Sequence, residues 1–135
     1  MVELGKKNEL FALGHRLVQD YSDHGVAWYS VGCYYLSVGQ FDVARRLFGK
    51  ATQLSPRLPH AWLAYGHAYA AQDESDQALV AYRTSARLFP GLHEPLLGMG
   101  REYQHMNNPI LAEQMFLQVC LFRGISRKVV CGISL

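Results

Sequence analysis

The sequence predicts an all-α solenoid of antiparallel helix pairs, about three full repeats with a single helix before them. Two observations carry this expectation. Gly32, Gly66 and Gly100 recur at intervals of 34 residues, and Tyr35, Tyr69 and Tyr103 keep the same step. So do Ala44, Ala78 and Ala112, followed by an aromatic column of Phe48, Tyr82 and Phe116. A period of this length marks stacked helical units, each of which needs its neighbours to bury its apolar face. No segment alternates apolar and polar residues for long enough to compete as a strand.

The elements follow in order. Residues 8–21 read as one amphipathic helix with Leu10, Leu13, Leu17 and Val18 on a common face. In phase this is the second helix of a partial repeat, although Gly14 stands where Phe48, Tyr82 and Phe116 stand later. Residues 25–58, 59–92 and 93–123 form repeats 1, 2 and 3, opened by Trp28, Trp62 and Leu96. First helices are predicted near 26–38, 60–72 and 94–106, and second helices near 41–54, 75–88 and 109–121. Turns fall at Val38-Gly39-Gln40, Asp73-Glu74 and Asn107-Asn108. Asn108 before Pro109 reads as a cap followed by a first-turn proline, and Ser75 as a second cap. Ser55-Pro56 and Phe89-Pro90 end second helices, because the residue before proline is pushed out of the helical region.

A glycine inside a helix costs about 1 kcal/mol relative to alanine. Three at one phase therefore imply close approach of a second helix, with Ala44, Ala78 and Ala112 as the expected opposing surface. The columns agree with the tetratricopeptide pattern, in which two-helix units stack into a superhelix whose inner wall is lined by the first helices. By helical phase, repeat 1 offers Val26, Tyr29, Cys33 and Leu36 to that wall. Repeat 2 offers His60, Leu63, His67 and Ala70, and repeat 3 offers Glu94, Leu97, Arg101 and Gln104. Such a mixed wall suits an extended or helical peptide. Repeat 1 contributes no lysine, arginine or asparagine to it, unlike the basic walls of co-chaperones that hold acidic peptide ends.

Composition narrows the classes. The 135 residues are 50% apolar, with a formal charge of +2, too weak to imply nucleic acid or a membrane surface as partner. Basic residues are scattered apart from short pairs such as Lys6-Lys7 and Arg45-Arg46, and the arginines read as part of a solvated outer face. No apolar run approaches the roughly 20 residues needed to span a bilayer. Cys33, Cys120 and Cys131 form no C-x-x-C, and no secretory signal is evident, so a reducing compartment, nuclear or cytoplasmic, is expected. Six histidines raise the question of a metal, but His60 and His67 lie seven residues apart with no acidic residue repeating beside them. No cofactor, metal or catalytic set is expected. Cys33 reads as a small apolar side chain. Tyr35, Tyr69, Tyr82 and Tyr103 read as core, and Tyr29 as a ligand contact.

The strings Val31-Gly32-Cys33-Tyr34-Tyr35-Leu36, Ala44-Arg45-Arg46 and Lys50-Ala51-Thr52 resemble the subunit 6 family of the anaphase-promoting complex, or cyclosome. So do Ala61-Trp62-Leu63-Ala64-Tyr65-Gly66-His67, Asp76-Gln77-Ala78 and Ala112-Glu113-Gln114-Met115-Phe116. These are tetratricopeptide-repeat proteins of the cell-division-cycle group, and the resemblance covers about residues 3–121. It implies a non-catalytic scaffold in a multi-subunit ubiquitin ligase acting in mitosis and ubiquitin-dependent proteolysis. It further implies other ligase subunits as partners, a small accessory subunit in the groove, and homodimerisation of the full-length protein. Tyr29, Cys33, Leu63 and His67 are the groove contacts it suggests. Beyond Val119 the sequence departs from the family, and residues 124–135 read as a divergent tail, disordered or strand-like, of a fragment or truncated form. Two other readings remain open on the residues: a generic peptide-binding adaptor or co-chaperone, and the helical targeting region of a larger enzyme.

Overall fold

The computed structural model describes residues 2–123, so the expected tail at 124–135 lies outside the described residues. Seven helices follow one another: α1 (Val2–Asp20), α2 (Gly25–Ser37), α3 (Phe41–Leu54), α4 (Pro59–Ala71), α5 (Ser75–Leu88), α6 (Glu94–His105) and α7 (Pro109–Arg123). Each packs on its neighbours in sequence. Beyond those pairs, α2 meets α4 and α4 meets α6, whereas α3, α5 and α7 do not meet one another. First helices thus lie closer together than second helices, which curves the stack and makes α2, α4 and α6 its inner wall.

The three turns within pairs share one geometry. Gly39, Asp73 and Asn107 all have positive φ, at 84°, 59° and 59°. In each case the next residue's N–H reaches back to the tyrosine of the repeat: Gln40 to Tyr35 O at 3.0 Å, Glu74 to Tyr69 O at 3.0 Å and Asn108 to Tyr103 O at 2.8 Å. This is the left-handed helix stop that satisfies end carbonyls and reverses the chain. Asn108 also caps α7, its Oδ1 accepting from Leu111 N at 3.3 Å. Ser75 does not cap α5. It is already the first helical residue, and Glu74 holds the cap position without a side-chain bond.

The tyrosine column thus sets the turn, while the tryptophans fix the joints between repeats. Trp28 Nε1 donates to Ser22 O, and Trp62 Nε1 to Pro56 O, each at 2.8 Å. Both bonds tie the loop before a first helix to its opening turn. Ser55 Oγ accepts from Gly25 N at 3.1 Å, and buried Ser85 donates to Pro59 O at 2.8 Å. The first bond satisfies a helix-start N–H that no intrahelical partner reaches, and the second ties α5 to the opening turn of α4.

The glycine column is a contact surface, but its partner differs from the expected alanines. A Cβ on Gly32 would stand 2.6 Å from the Phe48 ring, one on Gly66 2.6 Å from Tyr82, and one on Gly100 2.6 Å from Phe116. The aromatic column, not the alanine column, fills each notch, because a flat ring can lie against bare backbone where a methyl would leave a gap. Ala44, Ala78 and Ala112 are buried beside these rings in two apolar clusters. Tyr82 is doubly seated, since a Cβ on Gly98 of the next repeat would also stand 2.7 Å from its ring. The core divides accordingly, with Phe48, Ala44, Ala64 and Ala68 in one cluster and Tyr82, Leu96, Met99 and Tyr103 in the other.

On α1 the buried face is shifted from the expected one. Leu10, Leu17 and Val18 are half-buried, but Leu13 is 52% exposed. Gly14 is the buried residue, and a Cβ there would stand 3.0 Å from Val31 Cγ2. The helix closes on α2 through this glycine, which turns Leu13 to the solvent side.

Gly66→Leu should drive a side chain into the Tyr82 ring and cost about 3 kcal/mol or more through overpacking. Urea unfolding reads this as a lowered midpoint, and an unchanged midpoint would contradict the close contact. Asp73→Gly, by contrast, relieves a left-handed non-glycine residue and should gain about 0.5 kcal/mol, seen as a small rise in the same midpoint.

Candidate functional site

The inner wall is built by α2, α4 and α6, whose first-helix phase brings one side chain per turn to a common surface. Its apolar members are half-buried and anchored in the core: Leu36 on the Phe48 cluster, Leu63 and Leu97 on the Tyr82 cluster. Tyr29 packs 6.0 Å from the Phe48 ring and lies beside the Cys33 thiol. Burial first, then the thiol, pushes the Tyr29 hydroxyl up to about 12, and burial likewise raises the Cys33 thiol. Both stay neutral, so the repeat 1 end of the wall carries no charge. His60, Arg101 and Gln104 are exposed. Gln104 stands at a cleft it shares with Pro109, Ala112, Glu113 and Phe116.

Seven of the nine candidate residues therefore form two groups. Tyr29, Cys33 and Leu36 make a half-buried neutral end. Leu63, His67, Leu97 and Arg101 make an end with apolar anchors and polar tips, while His60 and Gln104 stand apart as exposed flanks. His67 is the most constrained of them. Its Nδ1 lies 2.8 Å from Tyr82 Oη, with the rings edge to face at 5.4 Å. Burial holds the imidazole below its ordinary pKa, Arg101 lowers it further, and Glu102 opposes both. Tyr82 is itself raised by burial, so its hydroxyl keeps its proton. Glu102, only 9% exposed, went unnoticed in the sequence, where nothing in the repeat marks it.

A second surface was also missed. On the side formed by α3, α4 and α5, Trp62, Tyr65 and Tyr69 make a continuous aromatic strip, with Tyr65 and Tyr69 stacked at 4.8 Å. Gly49, Gln53, Gln77 and Val80 rim the cleft over it. Tyr69, expected in the core, packs against it but is half-buried, and its hydroxyl donates to Tyr65 Oη at 3.1 Å. Arg45 is not simply solvated either. It lies over the Tyr69 ring at 5.5 Å and pairs with Glu74 at 3.0 Å, joining repeats 1 and 2. The i, i+3, i+7 spacing of Trp62, Tyr65 and Tyr69 was the available signal.

Among the described residues, no cluster of three or more His, Cys, Asp or Glu side chains is placed to hold a metal ion. No helix among them is long and apolar enough to cross a membrane.

Known proteins share this architecture. The tetratricopeptide-repeat family profile matches residues 35–91. The human cell division cycle protein 16 homolog is 50% identical over 119 residues, covering 87% of this chain and 19% of the relative. The Arabidopsis thaliana anaphase-promoting complex subunit 6 is 46% identical over 117 residues, covering 87% of this chain and 22% of the relative. The crystal structure of the hetero-tetramer Cut9–Hcn1 of the anaphase-promoting complex superposes with a TM-score of 0.85 at 37% identity, over 89% of this chain and 23% of that one. The chain is similar to one segment of these cell-division-cycle and anaphase-promoting complex proteins. It spans about a fifth of the length of the curated relatives it matches. A MamA crystal structure, 19% identical with a TM-score of 0.81 over 91% of this chain and 72% of that one, shares the fold alone.

Tyr82→Phe restores the residue type of the other two repeats and leaves His67 Nδ1 without its partner. It should cost about 1 kcal/mol at neutral pH, measured by urea unfolding.

Proposed function

We propose that this chain is a non-catalytic scaffold segment that works as subunit 6 of the anaphase-promoting complex works, in a ubiquitin ligase of mitotic cell-cycle control. The observation that carries this is the likeness to Cut9, 37% identical with a TM-score of 0.85, in a structure that pairs Cut9 with Hcn1. The inner wall is then the surface that receives a partner. Half-buried Tyr29, Leu63 and Leu97 supply apolar contact, and exposed His60, Arg101 and Gln104 supply polar selection. Its partners are other subunits of the ligase, including a small accessory subunit in the groove, and the full-length protein forms a homodimer. Nuclear and cytoplasmic residence accords with this role.

The wall chemistry favours an extended segment over an acidic peptide end. At its repeat 1 end Tyr29 and Cys33 are neutral, and among the wall positions of repeats 2 and 3 only Arg101 carries a full positive charge. A peptide crossing α2, α4 and α6 would lay apolar side chains against the half-buried members and direct polar groups to Arg101 and Gln104.

Affinity purification of the tagged chain from dividing cells tests this reading. Cyclosome subunits should be recovered, and Arg101→Glu, at an exposed wall position, should reduce recovery of the small accessory subunit. Recovery of chaperones alone, or of one enzyme alone, would assign the chain to an adaptor or a targeting region instead.

A further inference from the structure

We infer that the cleft over Trp62, Tyr65 and Tyr69 is a docking site for one arginine side chain of a partner protein, on a surface separate from the inner wall. The inference starts from a position at which the repeats differ. Gly49, Arg83 and Leu117 recur at intervals of 34 residues along the second helices, and His15 holds the same phase on α1. Gly49 alone in this column lacks a side chain. In the joint between repeats 2 and 3, Arg83 Nη2 donates to Tyr103 Oη at 2.7 Å. Tyr103 and Tyr69 belong to one column, so this bond records what a guanidinium does at that place in the stack. Between repeats 1 and 2 the same place is bare, and a cleft of about 330 Å³ opens beside Gly49.

The groups around this space match the same cation. A Cβ at position 49 would stand 3.3 Å from Tyr65 Oη, so a side chain entering there meets the hydroxyls of Tyr65 and Tyr69. The two hydroxyls bond each other at 3.1 Å. Whichever of them donates, lone pairs remain on both oxygens to accept from a guanidinium. The Trp62 and Tyr65 rings, 6.1 Å apart, add π surface beside them. A planar guanidinium can lie against a ring and bond a hydroxyl with its edge, whereas a compact ammonium group has no such plane.

Charge points the same way. Arg45 already lies over the Tyr69 ring at 5.5 Å, and Glu74 matches its charge at 3.0 Å. Asp42, one turn before Arg45 on α3, accepts from Gln72 of α4 and brings a second carboxylate. Two carboxylates against one guanidinium leave this end of the cleft negative, which favours an incoming cation. Exposed Gln53 on α3 and exposed Gln77 on α5 form facing parts of the rim. Their amides can bond the peptide backbone on either side of the arginine, which selects a protein segment over the free amino acid.

Titration of the full chain with an end-blocked glycine–arginine–glycine tripeptide tests this, read by NMR at the Trp62 indole N–H. The Trp62 signal should shift saturably, and the Trp28 signal, outside the cleft, should not. Tripeptides carrying lysine or citrulline in place of arginine should bind several-fold more weakly, as should free arginine. In Gly49→Arg, which supplies the guanidinium from within as Arg83 does in the next joint, the shift should vanish. If Gly49→Arg does not fold, Gln77→Lys at the exposed rim should weaken binding several-fold through like charge. No saturable shift at Trp62, an equal response to the citrulline tripeptide, or undiminished binding in the variant measured would overturn the inference. Free arginine binding as tightly as the tripeptide would overturn the assignment to a partner protein. No ligase subunit enters the measurement, so its outcome stands apart from that of the scaffold reading.

Discussion

An aromatic ring set against a helix position that lacks a Cβ is the contact on which the array depends. It is made three times, by Phe48 on Gly32, Tyr82 on Gly66 and Phe116 on Gly100. Each costs helix propensity at the glycine and repays it through a large buried apolar surface. The contact also fixes how closely two antiparallel helices approach. On the other side of α4, the small residues Ala64 and Ala68 are buried against the Phe48 cluster of the preceding pair. Where the same ring meets a second glycine, as Tyr82 meets Gly98, the contact within a pair becomes the contact between pairs.

Curvature follows from the same economy of volume. First helices carry the glycines and many of the alanines, so α4 approaches both α2 and α6 closely. Second helices present Arg46, Lys50, Val80 and Arg83 outward and stay apart. The inner wall is therefore a by-product of how the core is packed. Its candidate contacts are residues left over from packing, which explains why Tyr29, Leu36, Leu63 and Leu97 are half-buried rather than free.

Much of this was legible in the sequence because it repeats. Helix ends at Ser55-Pro56 and Phe89-Pro90, the cap at Asn108, and the turns at Gly39, Asp73 and Asn107 are each set by local backbone chemistry. What was not legible depended on which of two neighbouring columns meets a notch, a matter of ring orientation that spacing does not encode. The glycines were thus assigned to Ala44, Ala78 and Ala112 instead of to the rings. Leu13 was placed inward because periodicity counts side chains, and it could not register that Gly14 buries backbone. For the wall, helical phase identified which residues share a surface but not their pairings. The bond between Tyr82 and His67 and the burial of Glu102 are one-off features of one joint, and a repeat pattern averages such features away. Their only trace was a tyrosine where its column elsewhere has phenylalanine.

The indole bonds make the three blocks unequal. Trp28 and Trp62 each clamp the loop that enters their helix, whereas Leu96, at the same phase, has no N–H to offer. The third block enters its first helix through Pro95, which is itself buried, without a side-chain tether from that column. Under mechanical tension the rungs of this ladder would part in a defined order, with the entry to α6, which lacks an indole clamp, yielding ahead of the two that have one.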